Sequence, residues 1–403
     1  MMSARLRLVA AVAVVLYVQA ATSQAREFAY VSLDGENRIA VYSVDEKSGE
    51  LTPRRDVETP SPTGGLTSDP KNRFLFASLR RAGKLASFRI NDDGRLTLIN
   101  VVEAGADPAY VATDRTGRFL LTAYYVAAKV SVHRIGKDGS LSEKSLQEIA
   151  TDTKAHAIMT DASNRFAFVP HTGPNAIYQF HFDGKTGLLS PNEPPIVNTG
   201  DNTGPRQLAF HPKRDQVFFD YEQGSAIASF KLDRKTGQLA FRKRLPSIPA
   251  EFTETNSNAR LEIHPSGEFV YVANRGHDSL AGYRVDSQTG KLTSLGQTPT
   301  EPTPRGFTIN PTGRYLYAAG QSSNRLAAFR INRKTGSLTR FATYNVGKHP
   351  GGSTSSASVK HTLAGPPCVC GMDAATLRPN YCWQPQSPIR LRVKETGVPP
   401  STE

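Results

Sequence analysis

Two arginines and two polar partners recur in this chain at one spacing. In "NTGPRQLAFHPKRDQVFFDYEQ" (residues 202–223), Arg206 stands six residues before a turn-forming Pro and Glu222 follows it by sixteen. "PTPRGFTINPTGRYLYAAGQ" (302–321) repeats the arrangement with Arg305 and Gln321. A guanidinium forks onto a carboxylate or phosphate. An acid among arginines suits orienting or activating a water better than donating a proton. His156, in "KAHAIMTD", brings a group able to act as acid or base near neutrality. Such a set could hold an anion and attack a carbonyl. A plain ion pair between Arg206 and Glu222 would also bring these two residues together, without chemistry.

The elements that carry them are repeats. A turn of the form acidic-x-x-Gly-x-Leu, as in "DGKTGLLS", "DRKTGQLA" and "DSQTGKLT", recurs with its glycine at Gly49, Gly94, Gly139, Gly187, Gly237, Gly290 and Gly336. The intervals are 45 to 53 residues. Each turn lies among four short strand-like runs, so the pattern predicts an all-β, seven-bladed β-propeller with four-stranded blades. Gly supplies the positive φ of the hairpin joining the two outer strands, which makes these seven glycines structural.

In such a blade the two inner strands form an antiparallel hairpin, so residues six before and ten after the turn Pro share one end. Through the six complete turns the first position reads Gly64, Ala109, His156, Arg206, Ala259 and Arg305. The second reads Arg80, Tyr125, Thr172, Glu222, Arg275 and Gln321. The frame is constant while these places diverge into His, Arg, Glu and Gln, which predicts a polar site at one mouth of the channel. Asp34, Arg80 and Tyr125 are its weaker members. His211 and His264 directly precede turn prolines at the other end and read as structural.

Residues 1–25 read as a signal peptide, with Arg5 and Arg7 before an apolar run at 8–18 and Ser23-Gln24-Ala25 at the cleavage site. The mature protein is therefore expected to be exported, periplasmic or extracellular, with no membrane span after cleavage. Net charge is +13, of which the leader and residues 351–403 carry +2 each, leaving +9 on residues 26–350. That excess favours a small anionic ligand. The basic residues are spread along the sequence without interleaved aromatics, so no nucleic acid is expected as partner. The three cysteines, Cys368, Cys370 and Cys382, lie beyond the repeats and lack a His/Cys partner set, so no metal and no cofactor is expected.

"GPRQLAFHP" (204–212), "YVANR" (271–275) and "PRGFTINPTGRYLYAAGQ" (304–321) resemble the seven-bladed β-propeller lactonases, the family of bacterial 6-phosphogluconolactonase and fungal carboxy-cis,cis-muconate cyclase. The likeness spans residues 28–350. It implies an active site on His156, Glu222, Arg206 and Arg275, with Arg305 and Gln321 beside it for substrate. It also implies hydrolysis of a sugar or other anionic lactone. His156-Ala157, Arg206-Gln207 and Tyr221-Glu222 depart from the family's usual neighbours, which bears on substrate identity more than on reaction class. A carboxymuconate-type cycloisomerase remains open, as does a non-enzymatic binding propeller, since "FVYVANRGHDSLAGYRV" (269–285) resembles YVTN-type surface repeats. In this family the last segment supplies the inner strand of the first blade. Here "GGSTSSASVK" stands in place of an apolar strand, so the domain is expected to run from 26 to 350. Its closing strand is expected to be missing or altered, with 351–403 an irregular tail and the ring closing poorly.

Overall fold

The computed structural model describes residues 26–351 and 358–361. The chain divides after Leu363, and all described residues belong to the first part. They build seven antiparallel sheets. Blade 5 shows the plan: Pro205–Phe210, Gln216–Tyr221, Ala226–Leu232 and Leu239–Pro246 pair in that order. First strands of successive blades pack against one another around the axis, as Pro205–Phe210 does on Asn258–Ile263 of blade 6 and that strand on Pro304–Ile309 of blade 7. Second strands, such as "QVFFDY", are buried throughout, whereas the fourth, "LAFRKRLP", is mostly exposed. This gradient explains why the repeats mix wholly apolar runs with charged ones.

The seven turn glycines all have positive φ, between 72° and 91°. Space gives a second reason for them. A Cβ on Gly94 would fall 2.2 Å from the Phe28 ring of the preceding blade, and one on Gly237 would fall equally close to Phe166. The same contact pairs Gly139 with Phe74, Gly187 with Phe119, Gly336 with Phe269 and Gly49 with Tyr315. Six of the seven hairpins thus pack on an aromatic ring of a neighbouring blade. In blade 5 Gln216 replaces the aromatic and donates to the Gly290 carbonyl at 2.8 Å.

Of the two expectations, a closing strand missing or altered, the structure shows the second: the strand is present but is not the apolar one. Ser358–His361 pairs antiparallel with Arg26–Leu33 over four residues, Arg26 opposite His361 and Ala29 opposite Ser358. It takes the inner place of blade 1, so that blade draws on residues beyond 350. The pairing uses main-chain groups, which any non-proline sequence supplies, and this is why an apolar pattern was not needed. The rest of the expected tail, and residues 1–25, lie outside the described residues.

Candidate active site

Every residue placed at the mouth by counting stands where the hairpin geometry requires. Arg80, Tyr125, Thr172, Glu222, Arg275 and Gln321 each follow directly on a second strand. Five of their main-chain N–H groups bind back to the inner segment: Tyr125 to Asp107, Thr172 to Lys154, Glu222 to Gly204, Arg275 to Ser257 and Gln321 to Thr303, at 2.7 to 3.2 Å. The acceptor is in each case two residues before the other mouth position. In blade 1 Asp34 binds His349 in the same way.

Several first-strand mouth residues sit in β-bulges. Arg206 and Gln207 lie between the pairs Pro205–Tyr221 and Leu208–Phe219, so two residues oppose Asp220 alone. Arg305 is the extra residue between Pro304–Gly320 and Gly306–Ala319, and Ala259 shares a bulge with Arg260. A bulge bends the strand and re-aims its side chains.

Glu222, Arg275 and Arg206 form the centre. Glu222 Oε1 accepts a hydrogen bond from Arg275 Nη2, whose guanidinium also donates to the Asn258 carbonyl at 2.9 Å. Arg206 Nε lies 3.7 Å from the same Oε1. Arg206 is fully buried and none of its three side-chain nitrogens has a hydrogen-bond partner. Burial, reinforced by Arg275 and Arg305 and opposed by Glu222, pushes its guanidinium down to about 9. It therefore remains a cation at neutral pH, lodged beneath Glu222. Counting along the sequence places Arg206 at the mouth with the others; it is instead closed off from solvent, while Glu222, Arg275 and Arg305 are partly exposed at the rim.

Arg305 and His156 share this field. The Arg305 Nε is buried without a partner, and burial with Arg275 and Arg80 lowers the group to about 10. His156 is buried, its Nδ1 also unpartnered, and its ring meets that of Tyr125 edge-on at 5.6 Å. Burial first, then Arg206, Arg80 and Arg305, hold it well below the usual imidazole range. The ring is neutral at pH 7. Arg80 grips Asp107 through two bonds of 2.6 and 2.8 Å. The Gln321 side chain makes no hydrogen bond among the described residues, and its place on the rim is all that ties it to the cluster.

Two functional-looking groups escaped the sequence reading. Asp220, two residues before Glu222, is fully buried, and burial pushes its carboxyl up to about 6 against the pull of Arg206. A lone acid inside the apolar run "VFFDY" was the available signal. Arg260 donates to Gln207 Oε1 at 2.9 Å and to Glu262 Oε1 at 2.5 Å, while Glu262 Oε2 accepts the Ile309 N–H. Tyr110 of blade 3 interacts with Arg260, so this network links blades 3, 5, 6 and 7.

At the far end Arg115 acts on the buried acids Asp114 and Asp161. There His211 Nδ1 accepts the Lys213 N–H and His264 Nδ1 the Ser266 N–H, the turn-holding work that Asp114 and Asp161 do in other blades. The fold does gather there what the sequence spreads. A groove of about 560 Å³ between blades 5 and 6 is lined by seven Lys and Arg, Lys231 and Lys291 among them, against the single acid Asp215. Among the described residues no three His, Cys, Asp or Glu come together as metal ligands. No described helix is long and apolar enough to cross a membrane.

Comparison with known proteins settles the family. The description "Lactonase, 7-bladed beta-propeller" matches residues 35–352. The chain belongs to the seven-bladed β-propeller lactonase family. Among its relatives, the 6-phosphogluconolactonase of Pectobacterium carotovorum is 32% identical over 284 residues, covering 70% of this chain and 85% of the relative. That of Yersinia enterocolitica is 29% identical over 284 residues, covering 70% and 84%. The crystallised periplasmic gluconolactonase of Pseudomonas aeruginosa shares the lactonase fold, with a TM-score of 0.77 at 24% identity over 83% of this chain and 99% of that one.

Proposed function

We propose that this propeller hydrolyses an anionic lactone at the rim described above. The observation that carries the reading is Glu222, a half-buried carboxylate held by Arg275 and backed by the buried cation Arg206. Its membership in the lactonase family and its relatives named 6-phosphogluconolactonase favour hydrolysis over cycloisomerisation.

Arg275 and Arg305 bind the substrate's anionic group at the rim. Glu222 takes a proton from water as the oxygen adds to the lactone carbonyl. Negative charge then develops on the carbonyl oxygen, and the positive field of Arg206, Arg275 and Arg305 stabilises it. Collapse breaks the bond to the ring oxygen, and the proton held by Glu222 passes to that oxygen. Water is thus divided between the new acid and the new hydroxyl. His156, kept neutral, offers a hydrogen bond without adding a fourth positive charge.

The assay is titration of acid released from glucono-δ-lactone and from its 6-phosphate. Glu222→Gln is expected to lower kcat by about 10² to 10⁴, the range of general-base catalysis. A wild-type rate no faster than spontaneous opening would sink the reading, and an unimpaired Glu222→Gln would remove Glu222 from it. The leader-like residues 1–25 support a site of action outside the cytoplasm, which cell fractionation would test.

A further inference from the structure

Asp220, two residues before Glu222, is a fully buried ionisable group that the reaction above does not use. Its Oδ1 accepts the Gln207 main-chain N–H at 2.6 Å. Gln207 is the second residue of the bulge, Arg206 the first. Asp220 is the residue that the two bulged residues face across the hairpin, so its carboxylate caps the N–H that the broken ladder leaves over. The other oxygen, Oδ2, is buried without a partner, and the charges of Asp220 and Arg206 act on one another.

Blade 2 contains the same device in a neutral form. Ser78 stands two residues before Arg80, as Asp220 does before Glu222, and its Oγ accepts the Gly65 N–H at 2.8 Å. Gly65 follows the mouth residue Gly64 as Gln207 follows Arg206. Holding the inner strand in this way therefore requires an acceptor and no charge. In blade 2 the held residue is a glycine with no side chain to aim, and in blade 5 it is the buried arginine.

We infer that Asp220 is a positioning residue: by pinning Gln207 across the bulge it fixes Arg206 beneath Glu222. Its carboxylate also places a counter-charge near a guanidinium that has no hydrogen bond of its own. The catalytic consequence rests on the lactonase reading; the pin itself does not. A displacement of about 1 Å in a preorganised group can cost 10²-fold in rate.

The test compares Asp220→Ala, Asp220→Ser and Asp220→Asn, alone and with Arg206→Met. Hydrogen exchange of the Gln207 amide in the purified protein reads the pin without any substrate. It should quicken at least tenfold in Asp220→Ala and stay protected in Asp220→Ser and Asp220→Asn, each of which keeps an acceptor. In the lactone assay Asp220→Ala should lower kcat about 10- to 100-fold. The serine and asparagine variants should recover most of that loss. Adding Asp220→Ala to Arg206→Met should cost nothing more, because the residue being aimed is already gone. Unchanged exchange in Asp220→Ala overturns the inference, and so does an additive double variant. A quickened amide in a protein that opens no lactone upholds the pin and sinks only the lactonase reading.

Discussion

Arg206 is a cation taken fully out of water with no hydrogen bond to compensate it. Its stabilisation comes from Glu222 at 3.7 Å and from Asp220, while Arg275 and Arg305 oppose it. Replacing a poorly compensated buried charge by an apolar side chain of similar size is often neutral or stabilising, by about 1 to 4 kcal/mol. Arg206→Met should therefore melt at the same temperature as the wild type or above it. Its kcat should fall by about 10², as when a preorganised electrostatic contact is lost. Calorimetry beside the lactone assay checks both halves; a destabilised variant with normal turnover would show Arg206 to be structural. Glu222 and Arg206 were legible in the sequence as a spacing. The burial of Arg206 was not, because counting from the turn gives a position along the strand and not the depth of a bulged side chain.

At the scale of the element, the hairpins were legible because each repeat carries the same Gly turn and turn Pro. The bulges were hidden for the same reason. An extra residue that recurs at corresponding places in several blades shifts the compared positions equally and leaves the comparison consistent. One hairpin carries a pH dependence of its own. His171, at the end of Phe166–His171, is fully buried, with Nδ1 donating to the Val169 carbonyl and Nε2 facing the Thr151 hydroxyl at 3.0 Å. Burial lowers it to about 4 from the ordinary value near 6.5. Above pH 6.5 neither the folded nor the unfolded chain protonates it. Between 6.5 and 4 the unfolded chain binds a proton that the folded one does not, so stability falls with pH. The loss amounts to about 3 kcal/mol once pH 4 is reached, at about 1.4 kcal/mol per unit. Urea titrations at pH 7.5 and 4.5 should show the wild type losing more than His171→Gln, by about 2 to 3 kcal/mol. Equal losses in the two proteins would remove His171 from the acid sensitivity.

For the whole molecule the question is what holds the ring shut. The seam between blades 7 and 1 uses the same fastening as the others, with Gly49 lying on the Tyr315 ring and the Tyr317 hydroxyl donating to the Gly49 carbonyl at 2.7 Å. The Tyr344 hydroxyl accepts the Leu51 N–H, and a buried cluster including Tyr42, Leu51, Tyr317 and Leu326 fills the space between the blades. To this seam Ser358–His361 adds main-chain pairing over four residues, where blades 5 to 7 have first strands of six. Before it, the Gly351 N–H already binds the Ser32 carbonyl and Pro350 bridges to Leu33. The strand was illegible because main-chain pairing with Arg26–Leu33, and not an apolar pattern, defines the inner place of blade 1. A chain ended after Gly351 would keep the side-chain fastening and lose about two to four main-chain hydrogen bonds, each worth about 1 kcal/mol. It should stay folded and cooperative, with Tm lower by about 5 to 10 °C, and should retain lactone hydrolysis because the rim residues of blades 4 to 7 are untouched. Differential scanning calorimetry of the two chains checks this. A shortened chain that fails to fold would make the four-residue strand, and not the glycine–aromatic seam, the element that closes the propeller.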